Sequence, residues 1–270
     1  MNERQGGRLL VEQLVVQGAD RAFTVPGESF LPVLDGFYDV KDKLALVVCR
    51  HEAAAANMAE AYGKLTGRPG VALVTRGPGA AHAAIGVHTA FQDSSPMVLF
   101  VGDVGSDFRD REAFQEVDFA AMFAPLAKWA ARIDDVDRIP EYVARAFQVA
   151  ASGRRGPVVL ALPEDMLAKS SKAPDAKRHV PVEASPGPQD LLKLQRLLAA
   201  AKRPLVILGG SGWSKEACED MRRFVEANDL PCGCAFRFQD LFEIATSTTW
   251  ATWASASTRC WPSACAWPTS

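Results

Sequence analysis

"LALVVCRHEAAAANMAEAYG", residues 44–63, passes from an apolar run into a helix-forming run with no turn residue between them. Residues 44–48 read as a buried strand, and from residue 53 small and apolar side chains recur at helical spacing. Arg50, His51 and Glu52 stand at the joint. A strand that hands straight to a helix is the repeating unit of a parallel α/β sheet, because parallel neighbours need crossovers and helices supply them.

The same transition recurs outward in both directions. A helical pattern over about 7–17 precedes AFTV (22–25), and VALVT (71–75), MVLFV (97–101), KWAARI (128–133) and PVVLAL (157–162) follow, separated by helical patterns such as DRIPEYVARAFQVAAS. The alternation predicts an α/β fold, a six-stranded parallel sheet with helices on both faces, occupying 1–168. Ligands of such sheets collect beyond the carboxyl ends of the strands. Four of those ends lead into Pro26-Gly27-Glu28, Cys49-Arg50-His51-Glu52, Arg76-Gly77-Pro78-Gly79 and Gly102-Asp103, so they are expected to share one crevice.

From 169 to 188 proline, lysine and serine replace the periodic pattern, which reads as a linker. A second α/β domain then begins, with a helix at 189–202, the strand RPLVILGG, a helix at 215–228 and a strand in LPCGCAF; it is expected to be incomplete, ending near 244. The stretch 245–270, ATSTTWATWASASTRCWPSACAWPTS, holds four of the six tryptophans and almost no charge. Tryptophan has a single codon, so WATW must be TGG GCN ACN TGG. Read one base earlier, its codons become those of an ordinary globular sequence. The expectation is a frameshift between about 242 and 248 and a truncated product; a low-complexity natural terminus is the alternative.

With a formal charge of -2 over 270 residues, 48% hydrophobic and 23% charged, the chain is globular and lacks the basic surface that nucleic acid requires. No apolar run reaches membrane-spanning length, and the charged N-terminus is unlike a signal peptide, so a cytoplasmic protein is expected. The six cysteines form no CxxC pair and sit near no histidine at zinc-ligand spacing; they read as reduced, mostly buried thiols, with no metal site.

Glu52 has two readings. A carboxylate at a helix start complements the helix dipole. Followed by Ala53-Ala54-Ala55-Ala56, it also stands where a flat ligand or another subunit could approach the backbone, in an apolar setting that disfavours ionisation and keeps a proton available for donation. The loop RGPGAAH permits close backbone approach but lacks the Gly-Lys-Ser/Thr of a phosphate loop and the GxGxxG of a dinucleotide site, and a structural turn would look the same. His51, His82 and His88 form no triad by spacing. Phe114-Gln115-Glu116 reads equally as a solvated loop.

Together these residues resemble the thiamine-diphosphate-dependent enzymes of the acetolactate synthase type. The resemblance rests on Pro26-Gly27, Arg50-His51-Glu52 with Met58-Ala59-Glu60 and Gly63, Thr75 to Ala80, Ala90-Phe91-Gln92-Asp93 with Pro96, Glu112 to Glu116 with Asp118, Lys128-Trp129, and Gly156 to Leu160 with Leu162-Pro163-Glu164-Asp165. It implies that 1–168 is a pyrimidine-binding domain and 189–244 the start of a central domain. It also implies that Glu52 hydrogen-bonds N1' of the cofactor's aminopyrimidine, promoting the imino form that takes the C2 proton, after which a 2-keto acid is decarboxylated and ligated to a second carbonyl. By the same resemblance Pro26, Gly27, Thr75, Gly77, Gly79 and His82 line the pyrimidine pocket, and Phe114, Gln115 and Lys128 reach toward the substrate. Mg²⁺ and the diphosphate belong to a Gly-Asp-Gly motif in a further domain, and no Gly-Asp-Gly occurs in these 270 residues. The resemblance also allows FAD in intact relatives, and the intact form is expected to be a homo-oligomer, a dimer or tetramer. Two positions depart from the synthases: Asp103 where glutamine is common, and His82 where asparagine is common. A 2-keto acid decarboxylase of the same superfamily and a non-catalytic assembly module are the alternatives.

Overall fold

The computed structural model describes residues 3–242, so the frameshift expected beyond that point lies outside the described residues. The chain divides into two compact units, the first ending at Ala184 and the second beginning at Ser185.

Unit 1 runs β1 (Arg4–Gln5), α1 (Gly6–Val16), β2 (Arg21–Thr24), α2 (Leu31–Asp39), β3 (Ala45–Val48), α3 (Glu52–Thr66), β4 (Gly70–Val74), α4 (Gly77–Asp93), β5 (Met97–Asp103), α5 (Phe119–Phe123), β6 (Trp129–Arg132), α6 (Ile139–Ala151), β7 (Pro157–Pro163), α7 (Glu164–Ala168) and β8 (Ser170–Ser171). Strands β2 to β7 form a six-stranded parallel sheet in the order β3-β2-β4-β5-β7-β6. All six apolar runs of the sequence are its strands.

The two faces follow from the period-2 alternation of strand side chains. Val71, Leu73, Val98 and Phe100 point to the face covered by α1, α2 and α6, where they meet Leu10, Leu14, Phe37, Val143 and Phe147. Ala72, Val74, Leu99 and Val101 point to the face covered by α3, α4 and α5, among Ala55, Ala59, Ala83, Val87 and Phe123. Each fully buried Leu or Phe stabilises by about 2 kcal/mol relative to exposure. The stretch first read as a buried strand differs in one respect. β3 pairs only with β2, and as an edge strand it leaves Val48 62% exposed.

Helix α3 ends at Gly67, whose φ of 69° is the left-handed conformation that glycine adopts most readily. β1 and β8 pair antiparallel, Arg4 opposite Ser171, joining the first and last strands of the unit. The segment read as a linker is docked over much of its length. Gln13 Nε2 donates to the Ala176 carbonyl and its Oε1 accepts the Ala176 N–H, both at 3.2 Å, while Gln17 Oε1 accepts the His179 N–H at 2.8 Å. A cavity of about 370 Å³ lies beneath it, lined in part by Tyr62, Arg68, Phe147 and Arg178.

Unit 2 contains α8 (Pro188–Ala200), β9 (Val206–Leu208), α9 (Lys215–Ala227) and β10 (Cys232–Cys234), with β9 and β10 parallel. Leu208, Val225, Leu230, Cys232, Leu241 and Phe242 form its small core, and α8 buries no residue. Among the described residues Cys49, Cys218, Cys232 and Cys234 are free thiols, and no helix is long and apolar enough to cross a membrane.

Candidate functional site

The carboxyl ends of three neighbouring strands are level: Thr24 of β2 faces Val48 of β3 on one side, and Leu73 of β4 on the other. The segments leaving them converge on Thr75. A Cβ at Gly27 would lie 2.6 Å from Thr75 Cβ, so glycine is required there, and Thr75 Oγ1 is 3.0 Å from Ser29 Oγ. A Cβ at Gly79 would lie 2.9 Å from Thr75 Cγ2 and 3.7 Å from Glu52 Oε1. Glu52, Gly27, Thr75 and Gly79 are thus brought to one crevice, with exposed Pro26 at its rim and Gly77 in the first turn of α4.

Glu52 opens α3. His51 caps that helix, its Nδ1 accepting the Ala53 N–H at 3.1 Å. The Glu52 side chain is only 15% exposed, and its Oε2 is 2.9 Å from His82 Nδ1. Its Oε1 has no hydrogen-bond partner among the described residues. The setting is therefore not the apolar one expected: the imidazole of His82 addresses the carboxylate, and the two histidine rings lie 4.6 Å apart. The alanine run also serves a different purpose. Ala55 and Ala56 are fully buried, and a Cβ on Gly86 would fall 2.5 Å from Ala56 Cβ, so these residues bring α3 and α4 together.

His51, Glu52 and His82 offer ligand atoms within 4.8 Å of one another. The Nδ1 lone pair of His51 is committed to the helix cap, and neutral His51 then carries its proton on Nε2. Two ligands remain, short of the three protein ligands of a catalytic transition-metal site.

The loop after β5 closes over the first turn of α4. Gly77 N–H donates to the Gln115 carbonyl at 3.1 Å, and Arg76 Nη1 to the Phe114 carbonyl at 3.4 Å. Asp110, Glu112 and Gln115 have φ of 61°, 54° and 63°, left-handed values held in part by Glu116, whose carboxylate accepts the Asp110 and Ala113 amides at 2.6 and 2.9 Å. Those amides hold Glu116 below its ordinary range. Phe114 is left 70% exposed at the loop tip. Behind the loop Arg76 also donates to Glu164 at 3.0 Å, and its Nε is the one buried side-chain nitrogen or oxygen without a partner among the described residues. Sequence reasoning missed this tie, because nothing in the sequence links Arg76 to an acid 88 residues away. Asp103 accepts from Arg132 Nε and from the Val104 amide, both at 2.8 Å. Burial pushes its carboxyl above the ordinary range, and these two donors offset only part of that rise.

Lys128 stands apart from the crevice. It precedes Trp129, the first residue of β6, and its amide donates to the Pro157 carbonyl, which places it at the amino-terminal edge of the sheet. Its ammonium donates to the carbonyls of Val149 and Ser152 at the end of α6, and burial pulls it below its ordinary range. Within this chain Lys128 closes a helix end.

Residues 4–122 match the family model for the thiamine pyrophosphate enzyme, N-terminal TPP binding domain. The chain is 35% identical over 242 residues to the acetolactate synthase isozyme 3 large subunit of Escherichia coli K12, a match covering 87% of this chain and 42% of that protein. It is 34% identical over 230 residues to the acetolactate synthase of Bacillus subtilis 168, covering 85% and 40%. It is 32% identical over 236 residues to a probable acetolactate synthase large subunit of Methanocaldococcus jannaschii, covering 84% and 39%. The level strand ends and glycine-lined crevice thus belong to a thiamine-pyrophosphate-binding domain of the N-terminal type. Within that class the chain is similar to acetolactate synthases, and it spans about two-fifths of the length of the curated relatives it matches.

Proposed function

We propose that unit 1 holds the aminopyrimidine half of thiamine diphosphate in the strand-end crevice, for decarboxylation of a 2-keto acid followed by carboligation. The observation that carries this reading is Glu52, a largely buried carboxylate with one oxygen engaged and the other facing Gly79. The donor chemistry fits the group: a ring nitrogen needs one hydrogen-bonding carboxyl, and a flat ring needs a wall without a side chain, which Gly79 provides next to Glu52, while Gly27 lets the segment with Pro26 pack on Thr75 and Gly77 lets the Gln115 loop close over the first turn of α4. When bound, thiamine diphosphate supplies the carbon nucleophile and the electron sink. Glu52 Oε1 would hydrogen-bond the ring nitrogen and exchange a proton with it, and the crevice wall would orient the ring. Phe114 and Gln115, on the loop over α4, limit access from the substrate side.

Mg²⁺ and the diphosphate are assigned to residues outside the described chain, supplied by a second subunit in a homo-oligomer. Exposed Met58, Ile85 and Phe114 are the surface such a subunit would cover. Unit 2 is read as the beginning of a central domain, where a flavin would bind if this branch uses one, and the free thiols suit a reducing, cytoplasmic setting.

Thiamine itself, which has the aminopyrimidine and lacks the diphosphate, is the probe. Titrated into the chain and followed by amide NMR, it is expected to move Gly27, Glu52, Gly77 and Gly79 and leave Lys128 unmoved. Movement confined to other residues sinks the reading.

A further inference from the structure

The helix contact described above has a counterpart one turn nearer the sheet ends. Ala56 and Gly86 form the close approach of α3 and α4. Both helices follow parallel strands and run in the same sense, and four residues back along each is one turn on the same face. Those positions are Glu52 and His82. The small residues at 56 and 86 let the two backbones come close enough for the 2.9 Å contact between His82 Nδ1 and Glu52 Oε2.

Packing does not explain His82, whose side chain is 52% exposed. Stability explains it no better, since a half-exposed pair of this kind contributes at most about 1 kcal/mol. What the contact does is divide the carboxylate. With Oε2 fixed, the remaining oxygen is the one lying 3.7 Å from the absent Cβ of Gly79, on the wall of the crevice.

We propose that His82 is the positioning residue for Glu52: its Nδ1–H holds Oε2 so that Oε1 is presented over Gly79 to the ring nitrogen of an aminopyrimidine. The inference rests on the reading of Glu52 given above, and it assigns opposite tautomers to two adjacent histidines. Neutral His51, with Nδ1 accepting an amide, carries its proton on Nε2; neutral His82, with Nδ1 donating to a carboxylate, carries its proton on Nδ1. No proton need leave His82 during the reaction.

Two measurements on the 270-residue chain test it. The first is imidazole ¹⁵N NMR without ligand. His82 is expected as the Nδ1–H form, reverting in Glu52→Ala to the Nε2–H form that free imidazole side chains prefer. An Nε2–H His82 in the unmodified chain overturns the proposal. The second is thiamine affinity in His82→Asn, whose amide N–H can take the place of Nδ1–H, and in His82→Phe, which keeps a ring without a donor. His82→Phe is expected to weaken binding about fivefold, in keeping with a contact worth at most about 1 kcal/mol, and His82→Asn to stay within about twofold. Equal binding by His82→Phe, with loss in Glu52→Ala, overturns the positioning role and leaves the reading of Glu52 standing. Binding unchanged by Glu52→Ala, or absent in the unmodified chain, sinks the reading of Glu52 itself, and the tautomer measurement still decides whether His82 orients it.

Discussion

At the residue scale the crevice depends on pairs that are distant in sequence. Glu52 and His82 are 30 positions apart, and Arg76 and Glu164 are 88 apart. The glycines and the strand-end carboxylate were legible because each belongs to a local pattern, an apolar strand that breaks into a tight loop or a helix. The partner of Glu52 was not, because a histidine on the next helix becomes its neighbour only once two small residues have set the helix spacing. Lys128 lies away from that group, since the strand read at 128–133 puts it at an amino end of the sheet. Away from the crevice, Asp20 gives a pH prediction. Burial pushes its carboxyl up, but hydrogen bonds from Arg68 at 2.7 Å and from the Tyr62 hydroxyl at 2.9 Å outweigh that and hold it below its ordinary range. A depressed folded value means that its stabilisation is complete above the unfolded value and is lost as pH falls through the folded one. Asp20→Asn should therefore flatten the acid limb of the stability curve, by less than about 1 kcal/mol because the pair is solvent-screened. Urea unfolding from pH 7 down to about 3 checks this, and an unchanged acid limb contradicts it.

At the element scale the alternation of strand and helix was readable throughout unit 1, because fully buried parallel strands are nearly continuous apolar runs. Edge position was less so: residues 44–48 are as apolar as the central runs, and only the pairing order reveals β3 as an outer strand. The packing of α3 on α4 makes a sharper claim. At Gly86 an added methyl would meet Ala56 Cβ at 2.5 Å and the Ala56 carbonyl carbon at 2.7 Å, backbone that cannot rotate away. Gly86→Ala should destabilise by about 1–3 kcal/mol, the cost of overpacking, despite the better helix propensity of alanine. The same change should lengthen the Glu52–His82 contact, so the tautomer signal of His82 should weaken alongside the shift in urea midpoint. A variant as stable as the parent would show that the helices do not meet at this point.

At the scale of the whole molecule the division into two units gives a proteolysis prediction. Residues 183–187 are exposed or half-exposed and belong to no helix or strand, whereas residues 173–182 are held to α1 and α6 through Gln13, Gln17, Gln148 and Ser152. Dilute non-specific protease should therefore cut first at about 183–187 and release a unit 1 fragment whose thermal transition is unchanged. First cuts within 173–182, identified by mass spectrometry, would mean that the segment is not docked.

The antiparallel clasp of β1 on β8 has a consequence for how the chain can be rewired. Arg4 and Ser171 face each other across one ladder, so the first and last strands of the sheet-bearing unit lie about one strand spacing apart. The exposed turn at Lys41, Asp42 and Lys43 offers a place to open the chain without touching a sheet strand. A circular permutant joined by a short glycine linker across the clasp and reopened at that turn should recover the parental far-ultraviolet circular dichroism, since residue order would change while every pairing inside the sheet survives.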